Sequence, residues 1–318
     1  MEKIFTEDDL IYIQNRGNSI EKIQQQLDFF IQGIPKINLV RSAKVGDGIW
    51  QFSEEETNDF VIYFDKHKTN YSIEKFVPAS GAATRMFKFL NEFLNDFDVE
   101  NDTINSYINK RNAKDISIFI FGLKNFPFYR ELKEKTIQLY PNYYSLSSDA
   151  KYHALIKTLL SKEGLDFANK PKGILPFHVR DEKIITPIEE NIFESDFFKR
   201  ENQKTKIHFT ITEEFQPDFE KITNQFSDYE ISFSYQNQST DTLAVHEDNT
   251  PFRIEDNKLF FRPGGHGALI DNLNALQSDI IYIKNIDNVS QNHRRVIETN
   301  KKILGGVLFF VQYKIFNY

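Results

Sequence analysis

The residues best suited to bind an anion lie between Phe76 and Met86. Two apolar residues there lead into a loop of small residues around Gly81, and a helical pattern begins directly after this loop. A strand, a small loop and a helix entrance together expose backbone N–H groups that can bind an anion. Arg85, at the helix entrance, adds a positive charge and a planar set of donors. The pattern is typical of phosphate binding in nucleotide sites, although a tightly packed turn without a ligand would have the same pattern.

Composition restricts the class of protein. The chain has 318 residues, of which 40% are hydrophobic and 27% charged, so it is long enough for one large domain or two small ones. The net charge of −7 argues against a nucleic-acid partner, because nucleic-acid-binding proteins usually present a basic surface. A mononucleotide needs only a local positive pocket and stays compatible. The absence of cysteine excludes disulfides, thiolate metal sites and cysteine nucleophiles.

The chain carries no pattern of a targeting or membrane segment. Its first nine residues are acidic and lack the apolar core of a signal peptide. No apolar run approaches the length that a membrane span requires. We therefore expect a cytoplasmic protein without a membrane partner.

Predicted strands and helices alternate along the chain. A first helix is expected from about Thr6 to Gly33, with Thr6 and Asp9 forming its N-terminal cap. Strands are predicted at residues 76–77, 116–121, 206–212, 231–235 and 279–284, and the final apolar run 307–311 is also strand-like. This alternation predicts an α/β fold with an at least partly parallel sheet. Ligands bind beyond the carboxyl ends of strands in such sheets, where Ser80, Gly264 and Asp287 are expected.

Five segments, in order along the chain, resemble the uridylyltransferase-type sugar nucleotidyltransferases, the UDP-sugar pyrophosphorylase group. Together they cover residues from about 76 to 289, and an uncharacterised family of Bacteroidetes proteins shares these motifs. The segments are Ala79–Met86; Pro171–Pro176 followed by Thr186–Glu189; Ile211–Glu214; Ser234–Gln236; and Pro263–Gly267 with Asn285–Asn288.

The resemblance implies a three-layer α/β/α sandwich with a Rossmann-like mixed sheet of the nucleotidyltransferase type. Residues 1–70 would form an N-terminal helical segment packed on the core, and residues 71–318 would form the α/β domain with an insertion at about 98–165. The resembling enzymes continue well beyond the position of Asp287, which raises the alternative of a C-terminally truncated or degenerate copy.

The resemblance also assigns roles at the phosphate end of a nucleotide. Arg85 would bind the β- and γ-phosphates, and Lys172 would stabilise the charge that develops on the α-phosphate. Asp287 would hold Mg²⁺, a hard cation that prefers carboxylate oxygen. The residues of the first loop that would contact the nucleotide are Ser80, Gly81, Ala82 and Thr84.

A second set of residues would contact the base and the sugar. Gln236 offers a donor and an acceptor on one amide, which suits an imide edge such as that of uracil. Gly264, Gly265 and His266 would form the second glycine loop around the ligand, with His266 contacting ligand or backbone and taking no part in proton transfer.

The implied activity is transfer of a uridylyl or other nucleotidyl group to a sugar 1-phosphate with release of pyrophosphate. The substrates would be a nucleoside triphosphate, with UTP favoured, and a sugar 1-phosphate. Two departures from the family pattern leave the activity open: Ala83 replaces a glycine, and about eighty residues separate Lys172 from the first loop. The alternatives are a nucleotide- or nucleotide-sugar-binding protein that has lost catalysis, and a glycosyltransferase of similar fold.

Overall fold

The computed structural model describes residues 4–317, which form a mixed α/β fold. The helices are α1 Glu7–Asn15, α2 Ile20–Gln32, α3 Glu54–His67, α4 Lys88–Asp96, α5 Ile104–Arg111, α6 Lys114–Gly122, α7 Tyr129–Leu139, α8 Ser148–Leu160, α9 Pro187–Glu194, α10 Gln216–Thr223, α11 Ile270–Asn274 and α12 Arg294–Phe316. The strands are β1 Lys44–Val45, β2 Gly48–Ile49, β3 Ile73–Pro78, β4 His178–Arg180, β5 Lys183–Ile185, β6 Thr205–Ile211, β7 Tyr229–Tyr235, β8 Thr242–Leu243, β9 Phe261–Arg262 and β10 Ile280–Ile283.

A parallel four-stranded sheet flanked by helices confirms the predicted α/β class. Its strand order is β10-β3-β6-β7. The central strands β3 and β6 are buried along almost their whole length, although each also contains polar or charged residues. The edge strand β7 instead alternates between exposed and partly buried residues over most of its length. Register places Ile280 opposite Ile73 and Pro78 opposite Thr210, so the carboxyl ends of β10, β3 and β6 lie side by side.

The chain divides into two compact units. The first, here called the sheet unit, comprises residues 73–233 and 280–294. The second, the terminal unit, comprises residues 4–72, 234–279 and 295–317. The predicted N-terminal helical segment is confirmed by α1, α2 and α3, whereas its packing on the α/β domain stays a prediction.

Two buried clusters form the core of the sheet unit. One joins the helices α4 to α8, and the other packs the sheet against α9 and α10. The strand predicted at residues 116–121 is wrong, because this run belongs to α6. Ile116 and Phe119, three residues apart, are buried, whereas Ile118 and Phe121 are 70% and 89% exposed. That spacing is helical, and a continuous apolar run does not by itself distinguish helix from strand.

The terminal unit contains a smaller buried cluster, which includes Ile13, Ile23 and Leu243. The predicted cap is confirmed, since Thr6 and Asp9 form a reciprocal capping box at the start of α1. The single predicted helix is in fact two, α1 and α2, separated by a turn in which Gly17 has a φ of +75°.

The strand expected at residues 307–311 is also wrong, because this run lies within α12. Phe309 of α12 is fully buried and stacks on Phe64 and Tyr71. Neither α12 nor any other helix within residues 4–317 has the length and apolar character needed to cross a membrane.

Candidate functional site

Several chain segments meet at the carboxyl edge of the sheet. The N–H of Ala79, just after β3, donates to the carbonyl of Thr210 at 2.8 Å. On the other side, the N–H of Ile286, just after β10, donates to the carbonyl of Pro78 at 3.3 Å. The loops after β3, β6 and β10 therefore start from neighbouring positions, as expected for parallel strands.

The first loop pairs with the segment that carries Lys172. Ala82 and Pro171 form an isolated antiparallel bridge, and the N–H of Lys172 donates to the carbonyl of Gly81 at 3.2 Å. Directly after β6, the hydroxyl of Thr212 donates to the carbonyl of Ser80 at 3.3 Å. These contacts bring Lys172 beside the loop despite the long sequence separation.

An ion pair connects the two oppositely charged candidates. Lys172 Nζ lies 2.9 Å from Asp287 Oδ2, and the two side chains are 24% and 42% exposed. The backbone of Gly173 packs between Ile188 of α9 and Ile286. A Cβ added at Gly173 would lie 3.3 Å from the side chain of Ile188 and 3.4 Å from that of Ile286. A side chain at Gly173 would push this turn away from the end of β10, so glycine here keeps Lys172 within reach of Asp287.

Most other residues of the Gly81 loop are exposed to solvent. Ala82, Thr84 and Arg85 are exposed, and Arg85 has no ion-pair partner within residues 4–317. A Cβ at Gly81 would meet no described atom within 4 Å. Ala83, by contrast, is completely buried in the helical cluster, so its methyl group does not lie on the exposed side of the loop.

The second set of predicted residues belongs to the terminal unit. Gln236 Nε2 donates to the carbonyl of Gly264 at 3.4 Å. A Cβ at Gly264 would lie only 2.7 Å from the carbonyl oxygen of Thr240, whereas one at Gly265 would meet no described atom within 4 Å. His266 begins a short 3-10 turn, and its side chain lies outside the described part of the chain.

A buried charge cluster on α9 was missed by the sequence reasoning. Glu190, only 6% exposed, accepts from Gln291 at 2.6 Å and from Arg294 at 2.9 Å with one oxygen. Its other oxygen accepts from Arg180 at 3.4 Å. Glu190 thereby connects the segment after Asp287 to α9.

Glu194, one turn further along α9, accepts from Lys75 at 3.3 Å and also from Lys284. Burial lowers the pKa of Lys284 to about 8, although the charge of Glu190 opposes this shift. Lys75 is completely buried, between Glu74 and Phe76 of β3. A lysine in such a strand was the available signal, because a buried charge requires a partner.

The described residues at the sheet edge could hold Mg²⁺ only together with a bound ligand. Among residues 4–317, no group of three or more His, Asp or Glu side chains could hold a metal. Asp287 provides a carboxylate beside Lys172 at the sheet edge. Mg²⁺ commonly binds through one or two carboxylates together with substrate phosphates. Asp287 could therefore supply one carboxylate ligand to Mg²⁺.

Comparison with known proteins identifies the family. Residues 6–318 match the model of a domain of unknown function, DUF4301, and the chain belongs to that family. No curated protein and no solved structure matched the chain.

Proposed function

We propose that the protein transfers a nucleotidyl group from a nucleoside triphosphate, with UTP favoured, to a sugar 1-phosphate. The observation that carries this proposal is the meeting of the Gly81 loop, Lys172 and Asp287 at one sheet edge, with the last two 2.9 Å apart. It supports a phosphate site because an exposed small-residue loop, a lysine and a carboxylate are adjacent there.

The reaction requires charge neutralisation more than proton transfer. An oxygen of the sugar 1-phosphate forms a bond to the α-phosphorus while the bond from that phosphorus to the bridging oxygen breaks, and pyrophosphate leaves. The attacking group is already an anion, so no general base is needed. In the proposal Lys172 stabilises the charge on the α-phosphate, and Arg85 binds the β- and γ-phosphates.

Asp287 would hold Mg²⁺ when the nucleotide binds. The ion would neutralise part of the phosphate charge. Because Lys172 is paired with Asp287, binding of the magnesium nucleotide would exchange this ion pair for contacts of each side chain with the ligand.

The resemblance assigns the base and the sugar to a second set of residues. Gln236 would contact the base, and Gly264, Gly265 and His266 would contact the base or the sugar, as the resemblance to UDP-sugar pyrophosphorylases implies. We also infer a cytoplasmic location, because nucleoside triphosphates are available there.

The test combines calorimetry with a pyrophosphate-release assay. We expect binding of UTP with Mg²⁺, and pyrophosphate release when a sugar 1-phosphate is added. Lys172→Met should reduce turnover by roughly 10²–10³-fold, as when one preorganised charge at a transition state is removed. Lys183→Met, at an exposed lysine of β5, is the matched control.

Three outcomes separate the candidate functions. If UTP binds but no added sugar phosphate leads to pyrophosphate release, the protein binds nucleotides without catalysing the transfer. Consumption of a UDP-sugar without pyrophosphate formation would indicate a glycosyltransferase. Failure to bind any nucleotide or nucleotide sugar would overturn the proposal.

A further inference from the structure

The cluster around Glu190 holds two arginines in fixed positions. Glu190 accepts from Arg180 with one carboxylate oxygen and from Arg294 with the other. The guanidinium of Arg180 also lies 4.2 Å from the ring centre of Phe193, which restricts its orientation. A buried carboxylate thus preorganises two planar cations, at the start of α12 and in β4.

Each arginine keeps unused donors. A guanidinium has five N–H donors. Arg294 donates to Glu190 through one nitrogen, and its Nε is buried without an acceptor within residues 4–317. Arg294 is 40% exposed and Arg180 is 24% exposed, so part of each guanidinium reaches solvent.

The cluster contains four cationic side chains. Its members are Lys75, Arg180, Lys284 and Arg294 with Glu190 and Glu194. The carboxylate of Asp181, which is 90% exposed, lies 3.9 Å from Arg180. Two partly exposed guanidinium groups on one buried carboxylate favour binding of an anion.

The cluster is close in the chain to the proposed nucleotide site. Ile188 packs against Gly173, and Glu190 follows two residues later in the same helix, a rise of about 3 Å. Gln291 lies four residues after Asp287, so a fully extended segment between them would span at most about 14 Å. Arg180, Gln291 and Arg294 belong to the sheet unit, as do Lys172 and Asp287 of the proposed phosphate side.

We propose that Arg180, Gln291 and Arg294 form a second anion site, which binds the dianionic phosphate of a phosphomonoester. Guanidinium groups match two phosphate oxygens at once, and the Gln291 amide can add a further donor. The identification of this phosphomonoester as the sugar 1-phosphate acceptor rests on the proposed function, whereas the anion site itself does not.

Calorimetry with inorganic phosphate and with a hexose 1-phosphate, both without nucleotide, tests the site. We expect each ligand to bind, and Arg180→Gln and Arg294→Gln each to weaken binding about tenfold or more. Arg295→Gln, at the adjacent exposed arginine, should leave affinity unchanged. UTP affinity should be unchanged in all three variants.

A second variant separates a binding role from a structural one. Arg294→Lys keeps the charge but loses the planar fork, so phosphate affinity should fall between those of the parent and Arg294→Gln, with thermal unfolding close to the parent. Phosphate affinity that is unchanged in both glutamine variants, or reduced equally by Arg295→Gln, would overturn the proposal.

The two proposals fail in different ways. If phosphate binds and depends on both arginines but pyrophosphate is never released, the anion site stands and the proposed reaction falls. If pyrophosphate is released and Arg294→Gln leaves the KM for the sugar phosphate unchanged, the reaction stands and the identification of the bound phosphomonoester as its acceptor falls, whereas the phosphate calorimetry decides the anion site.

Discussion

In the sheet unit, the loops of Gly81 and Thr212 follow strands that are buried almost throughout, whereas in the terminal unit the Gly264 loop follows a two-residue strand. β3 and β6 provide the first kind of support, and β8 and β9 the second. The buried clusters differ in the same sense, because two large clusters support the sheet unit and a smaller one supports the terminal unit.

This difference indicates how each set of residues is positioned. At the sheet edge, three strand ends and the Ala82–Pro171 bridge hold the Gly81 loop, Lys172 and Asp287 together. In the terminal unit, Gln236 and Gly264 are connected by one long hydrogen bond of 3.4 Å. We therefore expect the phosphate side to be preorganised and the base side to be more sensitive to changes in its unit.

The largest expected effect comes from filling a tight glycine in each unit. A Cβ at Gly306 would lie 2.2 Å from the carbonyl oxygen of Phe60 in the terminal unit, and one at Gly164 would lie 1.8 Å from that of Thr158 in the sheet unit. Both neighbours are backbone atoms, so each alanine variant should lose about 3 kcal/mol or more of unfolding free energy. Urea denaturation measures the loss.

Hydrogen exchange then assigns each loss to a unit. Gly306→Ala should reduce protection in residues 4–72 and 295–317 first, and Gly164→Ala in residues 73–233. Gly267→Ala and Gly122→Ala, where a Cβ meets no described atom within 4 Å, are the controls. Equal loss of protection in both units for either variant would contradict separate local unfolding.

The second prediction compares one buried ion pair from each unit. Lys75→Met removes a fully buried amine that donates to the Asn191 carbonyl at 2.7 Å and to Glu194. We expect a loss of about 3 kcal/mol, because the acceptors stay buried. Asp9→Asn should cost less, about 1–2 kcal/mol, since Arg253 is 23% exposed and can be hydrated.

Denaturant midpoints at neutral pH measure both losses. Lys66→Met, at an exposed lysine of α3, should change stability little and serves as the control. A larger loss for Asp9→Asn than for Lys75→Met would reverse the comparison between the units.

Sequence patterns identified the elements that depend on local chemistry. The cap of Thr6 with Asp9 is confirmed, and the strand expected at residues 206–212 is β6, displaced by one residue. The strand prediction at 116–121 was wrong because a continuous apolar run does not distinguish a strand from a helix. Packing against the neighbouring helices determines that Ile118 stays exposed. Burial of that kind depends on tertiary contacts that periodicity does not contain.

The site was predictable to a similar extent. The sequence predicted that the Ser80 loop and Asp287 would lie beyond the carboxyl ends of strands. In the structure these strands, β3 and β10, are neighbours, and Lys172 contacts both segments. The roles of these residues stay predictions. The Ala82–Pro171 bridge and the Glu190 cluster were not predictable, since each joins residues distant in the chain whose types alone do not indicate pairing.

A smaller effect should distinguish the units as the pH falls. Burial lowers the pKa of His153, His178 and His208, with Glu190 opposing the shift at His178. The unfolded chain then takes up protons first, so stability is complete above about pH 6.5 and decreases below it. All three histidines belong to the sheet unit.

The terminal unit has the opposite kind of group. Burial acts to raise the pKa of Asp9, but hydrogen bonds and the charge of Arg253 outweigh it and the net pKa is lowered. The stability from Asp9 is therefore present above pH 3.8 and is lost only at lower pH.

Hydrogen exchange at pH 7 and pH 5.5, corrected for intrinsic rates, should thus show a loss of protection at the lower pH that is confined to the sheet unit. The corresponding loss of stability should be smaller than that of the ion-pair variants. His208→Phe should reduce this loss, and His293→Gln, at an exposed position, should not. An equal loss in both units would contradict the assignment to the buried histidines.

The smallest expected effect concerns Ala83 and tests how rigid the sheet edge is. The methyl group is buried in the helical cluster, and the N–H of Ala83 donates to the Lys170 carbonyl at 3.2 Å. Ala83→Gly should lower the unfolding free energy by about 1 kcal/mol through lost packing and added backbone freedom. Because the methyl group does not lie on the exposed side of the loop, nucleotide affinity should stay within about twofold of the parent. Denaturation and UTP calorimetry measure the two quantities. A large gain in UTP affinity would show instead that alanine at this position displaces the phosphates, and that the loop is less fixed than its contacts with Pro171 and Lys172 indicate.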